Sequence, residues 1–175
     1  MTPIRLATPD DMGAVRDLCR AYRSVLIDRS RHVPAFVDTY YGEADFEDLL
    51  TRLPDIHARP KGAILVHGTQ GHVTGCAMTH EISPRTAEVK RIFVADTARG
   101  TGAGRALTEA AIDQARSDGH TRLCLDTFAT LTEAIALYEA LGFQPCAPFY
   151  TPDPDLVPHL RFFDMPLNAA AGDTP

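Results

Sequence analysis

The stretch VADTARGTGAGR, residues 94–105, places glycine at alternate positions 100, 102 and 104, with Arg99 and Arg105 beside them. Glycine gives up more conformational freedom than any other residue on ordering, so a backbone this bare suits a place where something approaches closely. Apolar Ile92, Phe93 and Val94 precede the loop, and Ala106, Leu107, Ala110 and Ala111 follow it at helical spacing. The pattern predicts a strand-to-helix turn at which free amides and the helix dipole favour an anion, above all a phosphate. Three phosphate-loop patterns compete for it. A dinucleotide loop GxGxxG takes Gly100 and Gly102 but meets Arg105 at its third glycine, and the loop lies mid-chain. A GxxxxGK[ST] loop fails, because no lysine here is followed by serine or threonine. The pattern [QR]-x-x-G-x-[GA] is met by Arg99, Gly102 and Gly104.

Two other side chains have proton chemistry within reach. Tyr138 follows Ala134 by four positions and precedes Leu141 by three, which puts all three on one helix face. A tyrosine on such a stripe is ordinarily core. Glu88 opens the apolar strand before the loop, where apolar walls can raise a carboxyl pKa into a range suited to base work through water. Its ordinary alternative is an ion pair with Lys90 or Arg85. Strand alternation predicts Glu88, Lys90, Ile92 and Val94 on one face and Arg91 on the other. His80, at the end of a strand, is expected to be solvated, and Asp126 to tie the chain after its own strand. The seven histidines show no HxxxH or HxH spacing and the four cysteines no CxxC pair, so no metal site is indicated. Cysteines in apolar runs read as buried free thiols of a reducing compartment.

These groups need a scaffold, and 175 residues suffice for one domain with its own core. Ile4–Ala7 reads as a strand, and Thr8-Pro9-Asp10-Asp11 as a helix start. Phe46, Leu49, Leu50 and Leu53 form a second helical stripe, which Pro54 should end. Ala63–His67 and Val73–Ile82 predict a hairpin, followed by a strand over 87–94, a helix from the glycine loop to Ser117, and a strand over 122–127. Thr130-Leu131-Thr132-Glu133 has capping-box form and opens a helix through Leu141, with Gly142 as its stop. Residues 144–150 and 160–167 are the closing strands, and 168–175 a loose tail. A net charge of −6 disfavours a nucleic-acid partner. No apolar run is long enough for a membrane helix and no leader opens the chain, which predicts a cytoplasmic protein.

The third loop pattern resembles the pyrophosphate loop of the GNAT superfamily, the acetyl-CoA-dependent N-acyltransferases. The resemblance extends to the preceding strand EVKRIFV, to the later helix AIALYEALGF with Ala134, Tyr138, Gly142 and Phe143, and to the opening IRLATPDDMGAVRDL. It spans residues 3–150 and implies a mixed α/β (α+β) domain over 1–167. That domain would be a twisted sheet of about seven strands, antiparallel except where two central strands splay, with about four helices.

The resemblance further implies that Arg99, Gly100, Thr101, Gly102, Ala103, Gly104 and Arg105 hold the pyrophosphate of acetyl-CoA, the co-substrate. The backbone of Ile92, Phe93 and Val94 would align its pantetheine arm, with one amide polarising the thioester. Tyr138 would be the general acid and Glu88 the base. Many members carry asparagine where this chain has Leu131; here Thr132, or Thr130, and Ala134 would take that cofactor contact. The implied reaction is direct acetyl transfer, without a metal, to a primary amine of a small molecule or peptide. Its alternatives are a longer acyl group or a CoA-binding sensor without turnover. Many members are homodimers. In the family the acceptor is set by the opening helices and a late loop, here about 10–55 and 148–159, where Tyr40, Tyr41, Phe149 and Tyr150 could line a pocket.

Overall fold

The computed structural model describes residues 2–33 and 42–167, so Tyr40, Tyr41 and the tail at 168–175 lie outside the described residues. Seven strands form one sheet: β1 (Ile4–Leu6), β2 (Gly62–Thr69), β3 (His72–Ser83), β4 (Thr86–Val94), β5 (Arg122–Phe128), β6 (Gln144–Pro145) and β7 (Leu160–Pro166). Their order across the sheet is β1-β2-β3-β4-β5-β7-β6. Every pairing is antiparallel except that of β4 with β5. Four α-helices accompany them: α1 (Met12–Arg29), α2 (Glu43–Ile56), α3 (Ala103–Ser117) and α4 (Thr132–Ala140).

The two faces of the sheet bury separate cores. Val15, Leu18 and Cys19 of α1 and Phe46, Leu50 and Leu53 of α2 pack on Ile64, Val66, Cys76, Met78 and Phe93. On the opposite face Leu107, Ala111, Ile112 and Ala115 of α3 and Tyr138 of α4 pack on Leu65, Ala77, Ala87, Val89, Leu123 and Leu125. Residues alternate between these cores along β2, as the two-residue period of a strand requires.

That alternation fails once in β4. His80 lies opposite Glu88 and Met78 opposite Lys90, but Cys76 lies opposite Phe93, so β4 holds one extra residue over this stretch. Arg91 sits there with φ 54, a left-handed backbone that costs a non-glycine residue roughly 1–2 kcal/mol. The expected single face for Glu88, Lys90, Ile92 and Val94 is therefore corrected. Glu88 and Lys90 face the α1–α2 side with Phe93, whereas Ile92 and Val94 join the α3–α4 core. A bulge inserts one residue and reverses the phase of everything after it.

The bulge coincides with the splay. β4 pairs with β5 only through Thr86, Ala87 and Glu88, opposite Arg122, Leu123 and Cys124. From Val89 to Val94 the β5-side edge of β4 has no neighbouring strand among the described residues.

Three helix and strand ends also differ from the sequence reading. Helix α2 runs past Pro54 to Ile56. The missing proline N–H leaves the Leu50 carbonyl without its helical donor, and the Arg16 Nε–H donates to that carbonyl at 3.2 Å. Helix α4 begins at Thr132 with Leu131 as its N-cap, so the capping box from Thr130 to Glu133 does not form. The expected strand over 144–150 is paired only at Gln144 and Pro145, because two prolines within five residues remove ladder donors.

Candidate active site

A cavity of about 560 Å³ opens where β4 and β5 part, lined by Glu88, Lys90, Arg91, Asp126, Tyr138 and Tyr150 among others. Apolar and aromatic residues of α1, α2 and the late loop, including Tyr22, Phe46, Leu49 and Phe149, form much of its wall. Glu88 and Tyr138, 50 positions apart in the chain, thus meet one space.

Glu88 is the last β4 residue paired with β5, and its side chain reaches the cavity from that point. It is 4% exposed and accepts a hydrogen bond from Lys90 Nζ at 2.5 Å, so the ion pair considered for it does form. His80 Nε2 lies 3.4 Å from its other oxygen. Burial nevertheless pushes the Glu88 carboxyl above its ordinary value, against the opposing pull of Lys90. Lys90 stays charged for the opposite reason. Burial lowers its pKa, but Asp126 and Glu88 together outweigh burial and hold it above the usual lysine value. Its Nζ lies 3.6 Å from Asp126 Oδ1, and the Tyr150 hydroxyl donates to Asp126 Oδ2 at 2.8 Å. A charged chain thus crosses the splay from Glu88 through Lys90 to Asp126.

Two expectations change here. His80 is not a solvated edge residue: burial, helped by Lys90 and Arg91, lowers its pKa to about 4, so it is neutral near pH 7. Its ring lies edge-on to His57, with centroids 5.3 Å apart. Asp126 sits inside β5 and faces the cavity instead of tying the chain after the strand.

Tyr138 enters from the opposite side. Ala134 and Leu141 flank it on the core face of α4, as the helical spacing predicts, and its ring packs near Phe143 and Phe163 at 6.0 and 6.5 Å. The ring is core, yet it borders the cavity, and its hydroxyl makes no hydrogen bond among the described residues. Burial first, and the charge of Asp126 second, raise its pKa above the ordinary tyrosine value. It therefore keeps its proton at neutral pH.

The glycine loop lies beyond the far end of the open β4 edge. Gly100 and Gly102 adopt φ 76 and 85, and an added Cβ at either would meet nothing within 4 Å. The left-handed conformation by itself calls for glycine at both positions. The backbone amides of Gly100, Thr101, Gly102, Ala103, Gly104 and Arg105 have no acceptor among the described residues, and α3 begins within this run. Six consecutive unused donors at a helix start fit the doubly charged pyrophosphate of CoA. The arginines are less committed. Arg99 pairs with Asp96 at 2.7 Å and lies over the Phe93 ring, and Arg105 pairs with Glu109 at 3.3 Å; both are about half exposed. The Thr101 hydroxyl is turned to the Ala98 carbonyl at 2.7 Å. Thr132 is exposed at the first turn of α4, while Ala134 is half-buried against the core.

Gly102 and Gly104 should separate on substitution. At Gly104 φ is not left-handed, and an added Cβ would meet Leu137 Cδ2 at 3.8 Å, an ordinary contact. Gly104→Ala is expected to leave the melting temperature and the KM for acetyl-CoA nearly unchanged. Gly102→Ala forces a left-handed alanine, at a cost of about 1 kcal/mol, and should raise that KM several-fold. Thermal melts and initial rates check the pair; equal effects at both positions would contradict a left-handed requirement at Gly102 that Gly104 lacks.

The model of the acetyltransferase (GNAT) family matches residues 30–143, 114 of the 175. The chain belongs to the GNAT acetyltransferase family. This GNAT chain is 42% identical over 100 residues to an IAA acetyltransferase of Azospirillum brasilense, over 55% of its own length and 65% of the relative's. The chain thus spans less than two thirds of that relative. Its fold is that of solved GNAT structures. An acetyltransferase from Streptococcus agalactiae superposes with a TM-score of 0.72 at 20% identity, over 95% of this chain and 98% of that one. A putative acetyltransferase from Salmonella typhimurium, solved with its cofactor acetyl-CoA, gives 0.68 at 21% identity over 99% and 98%.

The sequence reading places the acceptor side at about 10–55 without naming Tyr22, Phe46 or Leu49 as its wall, and gives Arg91 a strand face but no place in the site. Arg91 carries no glycine or proline beside it to signal a bulge, and the wall residues look like ordinary helix core. Among the described residues no helix is long and apolar enough to cross a membrane.

Proposed function

We propose that this GNAT protein is an N-acetyltransferase that moves an acetyl group directly from acetyl-CoA to a primary amine of a small molecule or peptide, in the cytoplasm. The observation that carries this reading is the meeting of Glu88 and Tyr138 in one cavity at the open edge of β4, with the unused amides of Gly100–Arg105 beyond it. Acetyl-CoA supplies an activated acyl group as a thioester. The chain's part is to bind and orient it, and to move two protons.

The loop amides anchor the phosphates, and the backbone of Ile92, Phe93 and Val94 offers an unpaired edge for the pantetheine amides. Glu88, raised by burial, takes a proton from the incoming ammonium, directly or through one water. A C–N bond forms as the C–S bond breaks, the Tyr138 hydroxyl gives its proton to the departing thiolate, and the second proton shed by the nitrogen restores the phenol through solvent, leaving the N-acetylated amine and free CoA. The neutral His80 and the ammonium of Lys90 hold Glu88 between them. No covalent acyl-enzyme is needed.

Release of free thiol from acetyl-CoA, followed over a panel of amino acids, polyamines, aminoglycosides and peptide N-termini, tests the reading. Saturable, amine-dependent release is the expected result. Absence of release with every amine, in protein that binds acetyl-CoA, would sink it in favour of a sensor without turnover.

A further inference from the structure

The cavity's charged side chains do not balance by contact. Glu88 and Asp126 share the ammonium of Lys90, and Asp126 also accepts from Tyr150. Arg91 lines the same cavity, half-buried, and its guanidinium has neither a hydrogen bond nor an ion pair among the described residues. Its charge acts on Cys19 of α1 and on His57, His80 and Glu88. Most other arginines pair with an acid, Arg5, Arg31, Arg59 and Arg122 among them.

Backbone geometry sharpens the contrast. Arg91 is the bulged residue of β4, held at φ 54 where a β-branched or bulky side chain is unusual. Strained non-glycine backbone at the wall of a cavity is commonly tied to a binding task. A guanidinium offers a planar fork of donors that matches a carboxylate, and a partly desolvated one without an acceptor gains most from binding it.

We infer that Arg91 binds a carboxylate of the acceptor, so that the acceptor is an amino acid with an apolar or aromatic side chain. This inference rests on the acetyl-transfer reading of the same cavity. Glu88 and Arg91 are three residues apart, about 10 Å of strand, and their long side chains can both reach one small molecule. Its amine meets Glu88, its carboxylate Arg91, and its side chain the wall of Phe46, Leu49 and Phe149.

Matched pairs test this: L-phenylalanine against 2-phenylethylamine, and L-leucine against 3-methylbutylamine, in which only the carboxylate is absent. The readout is the acid-to-amine ratio of kcat/KM, compared between wild type and Arg91→Asn, a comparison in which differences in amine basicity cancel. Asparagine tolerates the left-handed backbone, so the variant should fold. The ratio is expected to fall at least tenfold in Arg91→Asn and to recover in part in Arg91→Lys. An equal loss for acid and amine, or a raised KM for acetyl-CoA with the ratio unchanged, would overturn the inference. Calorimetric titration of the same four probes, at saturating CoA, needs no turnover. Carboxylate-dependent binding without thiol release would retain Arg91 and sink the transfer reading. Thiol release with an unchanged ratio would do the reverse.

Discussion

Tyr138→Phe is expected to lower kcat by about 10²–10⁴-fold, the range for loss of a general acid, while the melting temperature holds within a few degrees. The separation of the two effects follows from the packing. The ring near Phe143 and Phe163 is retained in phenylalanine, so the core around α4 loses no volume. The hydroxyl makes no hydrogen bond among the described residues, so its removal leaves no buried partner unsatisfied. A buried tyrosine held above its ordinary pKa keeps its proton across the working range, which is the state an acid needs. An unchanged kcat in folded Tyr138→Phe would remove the acid role.

The clarity of that experiment reflects how the site is distributed along the chain. Tyr138 and the glycine loop are written in local patterns: a four-residue helical spacing, and glycines where left-handed backbone is required. The main elements are legible for the same reason, since helical and strand periods are local. What is not local is harder to see. The bulge at Arg91 shows no glycine, and its effect is to exchange the faces of Ile92 and Val94 with that of Phe93. The pairing of Lys90 with Asp126, and of Asp126 with Tyr150, joins residues 36 and 24 positions apart. Pro54 reads as a helix end, and only the Arg16 side chain, 34 positions earlier than the Leu50 carbonyl it serves, explains why α2 goes on. The loop's partner in chemistry was therefore nameable, whereas the acceptor side depends on tertiary contacts.

Glu88→Gln carries the second large effect, and its sign differs between activity and stability. For activity, the base must be ionised, so kcat/KM in the wild type should fall as pH drops through the raised pKa of Glu88. Glutamine abolishes that acid limb and lowers the rate by about 10²-fold or more where the amine is mostly protonated. The deficit should shrink as pH approaches the pKa of the amine, which then needs no base. An inflection at the Glu88 pKa that persists in the variant, beyond the rise that deprotonation of the amine itself produces, would take Glu88 out of the role. For stability the linkage runs the other way. A carboxyl whose folded pKa lies above its ordinary 4.5 contributes stability fully below that value and loses it as pH rises through the folded value. At neutral pH the ionised Glu88 is therefore held at a cost, even with Lys90 beside it. Glutamine removes the charge and keeps an oxygen able to accept from Lys90, so Glu88→Gln should melt at the same or a higher temperature at pH 7. Below the ordinary carboxyl range any gain should vanish. A charge retained at a position where a neutral isostere is more stable is a charge kept for chemistry, and loss of rate together with an unreduced melting temperature in Glu88→Gln is the signature of that trade.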